Sequence, residues 1–135
     1  MSATPKTVLA AITARDGHQS AWTGQDVPEL VPQHRQGGMG GRLDKHRLSN
    51  VVWLESLLNG SIESDPELQS EAERRGIKIS LHTDPEHAPI QYPDGSWWLL
   101  RDDGTRVPYI FNWENPTPDT GPQATATSSQ REESL

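Results

Sequence analysis

One histidine, two asparagines and a glutamate have the types and spacing for metal-assisted proton transfer. His34 is followed sixteen residues later by Asn50, nine further on by Asn59, and four beyond that by Glu63. An imidazole held by an amide can take a proton from water. A divalent cation can neutralise the charge that builds on a phosphate under attack. Asn59 and Glu63, four apart, fall on one face of a helix, and their oxygen atoms suit a hard cation better than zinc. Between His34 and Asn50 runs a loop with Gly37, Gly38, Gly40 and Gly41 among the cations Arg35, Arg42, Lys45 and Arg47. Such a loop can admit a phosphate, act as a hinge, or be plain turn chemistry. The bland alternatives are a hydrogen-bonded turn histidine, a turn signal at Asn59-Gly60, and a solvated basic surface.

Bulk composition bounds what must position these groups. With 135 residues, 32% hydrophobic residues and a mean hydropathy of −0.75, the chain supports one domain with a small core. Eleven prolines and eleven glycines imply short elements and many loops. The absence of cysteine excludes disulfides and thiolate metal sites. No apolar run is long enough to span a membrane, and MSATPKTVLAAIT lacks the apolar length and cleavage site of a signal peptide. A cytoplasmic protein with no membrane partner is therefore expected. The formal net charge of −7 argues against nucleic-acid binding taken alone. Its distribution matters more: the one basic island coincides with the glycine loop.

Periodicity and turn chemistry predict an α+β fold. Residues 1–14 read as a flexible N-terminal segment or a short helix, with Gly17 at a helix C-cap. Leu30-Val31-Pro32 reads as an edge strand. Leu54, Leu57, Leu58 and Ile62 recur at helical spacing, and Val51-Val52-Trp53 is either the first turn of that helix or an extended lead-in. Asp65-Pro66-Glu67 starts another helix, which ends at Arg74-Arg75-Gly76. Ile77–Leu81 alternates like a strand. Ile90–Tyr92, Trp97–Leu100 and Thr105–Ile110, joined through Pro93-Asp94-Gly95-Ser96 and Asp102-Asp103-Gly104, form a β-meander. The domain is expected over 15–110, followed by a polar, disordered tail over 111–135.

Several stretches together resemble the HNH endonuclease-like proteins common in actinobacterial phages and their hosts. They are His34-Arg35, Gly38-Met39-Gly40-Gly41, Ser49-Asn50-Val51-Val52-Trp53-Leu54 and Asn59-Gly60-Ser61-Ile62-Glu63-Ser64. The helix ending at Arg75-Gly76, the Ile77-Lys78-Ile79 segment, Asp84-Pro85 and the Trp98-Leu99-Leu100 stretch extend the likeness over roughly Arg15 to Arg106. The combined pattern is specific, whereas each piece alone is not.

The resemblance implies a ββα-metal (HNH) core with a short C-terminal β-meander. It makes His34 the general base and Asn50 the brace of the hairpin that orients it. Asn59 becomes a metal ligand in an H-N-N variant, with Glu63 accessory. The metal is Mg²⁺ or Mn²⁺, and Arg35, Arg42, Lys45 and Arg47 lie along DNA. It also implies residence in a bacterial host cell, with phage packaging proteins or another protein as possible partners. Many members hold the fold with zinc on two Cys-x-x-Cys pairs. Ser20, Thr23, Glu55 and Leu58 stand at those positions here, so no structural zinc is expected, and Trp22, Trp53, Leu54, Leu57, Leu58 and Ile62 are the apolar residues available to replace it. Gln33 stands where active members often carry a carboxylate or histidine. The alternative functional readings are an inactive HNH-fold module binding DNA or a protein, and an unrelated α+β interaction protein. Trp97-Trp98 is expected to pack rather than stack on bases. His82 and His87 are expected at the surface, His18 in a structural turn, and His46 at a phosphate.

Overall fold

The computed structural model describes residues 4–37 and 43–110. The glycine loop with Arg42 and the segment 111–135 expected to be disordered lie outside the described residues. Among the described residues, three α-helices and two small antiparallel sheets make a mixed α+β fold. No helix among them is long and apolar enough to cross a membrane.

The N-terminal segment forms α1 (Lys6–Asp16), capped by Gly17 at φ 78° as the turn signal requires. Its Ile12 is fully buried against β1 (Leu30–His34) and β2 (Val51–Glu55). These strands pair antiparallel from Leu30 opposite Glu55 to His34 opposite Val51. Val51-Val52-Trp53 is thus the extended lead-in, as its β-branched and aromatic residues favour. Both faces of β2 are covered. Val51 and Trp53 join Ile12 and Leu30, while Val52 and Leu54 join Ile62, Ala72, Ile77, Ile90 and Leu100.

Helix α2 (Ser56–Ser64) follows β2 without a loop. Ile62 is buried and Leu58 packs beside it, one turn apart on the same face. Leu57 was expected among the core residues, but it is 83% exposed, because it lies well round the helix from that face. Helix α3 (Pro66–Arg74) begins as expected, with the Asp65 carboxylate accepting from the Glu67 and Leu68 amides. The predicted strand at Ile77–Leu81 does not form. Only Ile79 pairs, in a single parallel bridge to Gln36, because β1 has already ended at His34 and offers no longer edge. The meander is present but short: β3 (Ile90–Gln91), β4 (Trp97–Leu100) and β5 (Arg106–Pro108). Trp98 packs on the main core, as expected, and Arg106 lies over its ring at 4.2 Å.

A buried arginine ties these parts together. The Arg35 side chain is 0% exposed. Its guanidinium donates to the carbonyls of Gly76 at 2.8 Å, Ser49 at 2.8 Å, Pro85 at 3.1 Å and Ala88 at 2.6 Å. Burial pulls its pKa down to about 9, which still leaves it charged at neutral pH. Gly76 is at φ 75°, and a Cβ there would sit 2.0 Å from the Pro89 carbonyl oxygen, so only glycine allows this approach. Replacing Arg35 with methionine keeps the bulk but strands four buried carbonyls. The expected loss is at least about 1–3 kcal/mol, the cost of one buried polar group left unsatisfied, read as a lower urea midpoint at unchanged slope.

Candidate functional site

The last residue of β1 and the exposed face of α2 meet across one cleft. A cavity of about 330 Å³ is lined by Gln33 and His34 from β1, Lys45 from the turn at Leu43–His46, and Asn59 and Glu63 from α2. His34, Lys45, Asn59 and Glu63, four of the residues singled out by sequence, are therefore brought to one place. β2 leaves the hairpin at the Leu30 end and α2 turns back along it with Ile62 in the core, so that Asn59 and Glu63 reach the cleft at the His34 end.

Asn50 does not line the cleft but sets its frame. It is fully buried, its Oδ1 accepts from the Gln36 amide at 3.0 Å, and its Nδ2 donates to the Lys45 carbonyl at 2.9 Å. Its own carbonyl accepts from the Arg35 amide at 2.8 Å. One side chain thus fastens the segment after β1 to the turn that carries Lys45 and His46, on both sides of His34.

The sequence reading missed the partner of His34. His34 Nε2 lies 3.2 Å from His46 Nδ1, and His46 is only 9% exposed, not at a phosphate-facing surface as expected. A twelve-residue separation across a glycine loop carries no periodic signal that would pair these rings. His46 Nε2 is buried with no hydrogen-bond partner among the described residues. The contact engages Nε2 of His34 and leaves Nδ1 without a hydrogen bond to the described residues. Desolvation lowers the His34 pKa below 6.5, and the neighbouring His46 and Lys45 charges lower it further. His34 is then neutral, hence able to accept a proton, at neutral pH.

The expected DNA-facing cations divide differently. Arg35 is buried and committed to backbone carbonyls, so it is not available to a phosphate. Arg47 is held by Asp84 at 2.9 Å and Asp102 at 2.8 Å, and its charge is already balanced. Lys45 lines the cleft at 9% exposure. Arg42 lies outside the described residues. His18 bonds Asp26 at 2.7 Å and sets its ring edge on Trp53, a structural role as expected, while His82 and His87 are exposed.

The four positions that the resemblance assigns to zinc cysteines converge. The Ser20 and Thr23 hydroxyls donate to the two oxygens of Glu55, and Leu58 shares a surface cavity of about 510 Å³ with Trp22, Thr23 and Glu55. Glu55 is desolvated, but these bonds more than offset that and hold its pKa below the usual value. Hydroxyl–carboxylate bonding, not packing alone, occupies this corner.

For a hard cation, the residues of the cleft that carry oxygen ligands include Glu63, with its carboxylate, and the amides Asn59 and Gln33. Mg²⁺ is commonly held by one or two carboxylates and completed by water and substrate phosphate, so this donor set meets the lower end of the requirement. No group of three or more His, Cys, Asp or Glu among the described residues is arranged to hold a metal ion. None of the family models, curated proteins or solved structures compared with the chain matches it.

Two outcomes follow from this geometry. Asn50→Ala strands the Gln36 amide and the Lys45 carbonyl and is expected to cost about 2–4 kcal/mol in urea denaturation. Arg47→Ala is expected to leave the salt dependence of any DNA binding unchanged in a fluorescence titration, since its charge is spent on Asp84 and Asp102.

Proposed function

We propose that the protein is a metal-dependent HNH-type endonuclease that hydrolyses DNA phosphodiester bonds, with His34 activating the attacking water. The observation that carries this reading is the cleft in which His34 from β1 faces Asn59 and Glu63 from α2. The strand–strand–helix order, the buried Asn50 at the start of β2, and the convergence of Ser20, Thr23, Glu55 and Leu58 add support from outside the cleft.

In this reading His34 Nδ1 accepts the proton of the attacking water. That requires the proton of the histidine pair to sit on His34 Nε2 and be accepted by His46 Nδ1, which makes His46 a positioning residue. Glu63, Asn59 and Gln33 would hold the divalent cation, which when bound supplies charge stabilisation at the phosphate. Lys45 adds a positive charge to the same wall. The setting would be the cytoplasm of a bacterial host cell.

A second reading, an inactive HNH-fold module that binds DNA or a protein, is favoured by one feature. Glu63 is the only carboxylate among the described residues of the cleft, and the amides of Gln33, Gln36 and Asn59 line the cleft with it.

Plasmid nicking in Mg²⁺ or Mn²⁺ separates the two. Wild type is expected to nick and His34→Ala to lose at least about 100-fold, the lower end for a general base. Cleavage that survives this substitution removes His34 from the role. The rate should fall as pH drops through the His34 pKa, with the midpoint of that limb below 6.5, because the base works only when neutral. His46→Phe should slow nicking more than His46→Gln, which keeps an acceptor for Nε2–H.

The family reading has a test that is independent of activity. A variant with cysteine at positions 20, 23, 55 and 58 is expected to bind Co²⁺ with thiolate-to-metal absorption. Failure of a folded variant to do so would count against the resemblance.

A further inference from the structure

Resting on the nuclease reading, we infer that Lys78, on the segment between α3 and β3, is a phosphate-gripping residue of the DNA track, lying across Glu63 from His34. A second cavity of about 660 Å³ has Lys78, Glu73, Ser80 and Thr83 in its wall, together with Gly37 and Glu63. Gly37 and Glu63 also line the His34 cleft, so the two cavities adjoin at these residues. A phosphate at the shared wall has the base on one side and Lys78 on the other.

The position of Lys78 is built into the fold. Its amide donates to the Ala72 carbonyl at 3.1 Å, closing the end of α3. Ile77 before it is fully buried, and the Ile79 amide after it donates to the Arg35 carbonyl at 2.9 Å. The backbone is thus pinned on both sides, and the Lys78 ammonium lies 3.4 Å from where a Cβ on Gly37 would sit. The Lys78 ammonium therefore lies next to the start of the glycine loop. Lys78 has no ion pair among the described residues, although Glu63 and Glu73 share its cavity. Arg47, in contrast, is neutralised by two aspartates, and Arg35 is buried. Lys78 is thus placed, in addition to Lys45 in the His34 cleft, to meet a backbone phosphate next to the one under attack.

The test is fluorescence anisotropy of a labelled DNA duplex in Ca²⁺ buffer, titrated at several salt concentrations. Wild type, Lys78→Ala, Lys78→Arg and Lys6→Ala are compared, Lys6 being an exposed α1 residue outside both cavities. Lys78→Ala is expected to bind several-fold more weakly, with the slope of log affinity against log salt reduced by about 1. Lys78→Arg should restore both, and Lys6→Ala should match wild type. Binding by wild type with Lys78→Ala unchanged in affinity and slope overturns the inference and leaves the nuclease reading standing. No binding by wild type even at low salt overturns both.

Discussion

The Arg35 guanidinium inside the domain organises the parts of the chain that regular secondary structure does not. Its four carbonyl partners come from the end of α3, the turn before β2, and the turn between Pro85 and Ala88. These segments form few backbone ladders of their own. A buried charge is costly unless every donor is used, so the arginine holds the carbonyls as firmly as they hold it. Gly76 belongs to the same arrangement, because the approach of Pro89 to its Cα leaves no room for a side chain. His34 is the residue before Arg35 and Gln36 the one after. Anchoring Arg35 therefore fixes the direction of the strand end that carries the candidate base.

Around this anchor the polar groups are used twice over. Asn50 fastens Gln36 to the turn bearing Lys45 and His46, and that turn brings His46 onto His34. The low His34 pKa results from this placement: desolvation first, then the nearby His46 and Lys45 charges. On the outer side, Arg47 joins Asp84 to Asp102, and Ser49 donates to Asp102 as well. That closes the β-meander against the turn before β2. Two cations that look like part of a DNA-binding loop in one dimension, Arg35 and Arg47, are spent on holding the fold. This suits a chain whose net charge is −7.

The Ser20–Thr23–Glu55 corner shows how a cysteine-free chain holds its N-terminal turn to the end of β2. Two hydroxyls and one carboxylate make directional bonds, with Leu58 and Trp22 packed alongside. This arrangement is compatible with a hydrophobic content of 32%, since it draws on polar residues where apolar ones are scarce.

Local chemistry was legible from the sequence wherever the signal is short-range. The Gly17 cap, the Asp65-Pro66 helix start, the Ile62 face of α2 and the meander turns all depend on residues within a few positions of one another. His34, Asn59 and Glu63, a weak signal by spacing alone that the family resemblance drew together, do line one cleft, because α2 turns back along the hairpin to its His34 end. Four things were decided only by the tertiary structure. Ile77–Leu81 alternates like a strand but finds no edge to pair with. Arg35 reads as a loop cation but is drawn inside by carbonyls 14 to 53 residues away in sequence. His46 meets His34 across a glycine loop, and Lys78, from beyond α3, lines the cavity that adjoins their cleft. The sequence by itself determined which groups carry charge, protons and helix ends. Which of them face solvent, face each other or lie buried depends on contacts between distant segments, and no local periodicity encodes those.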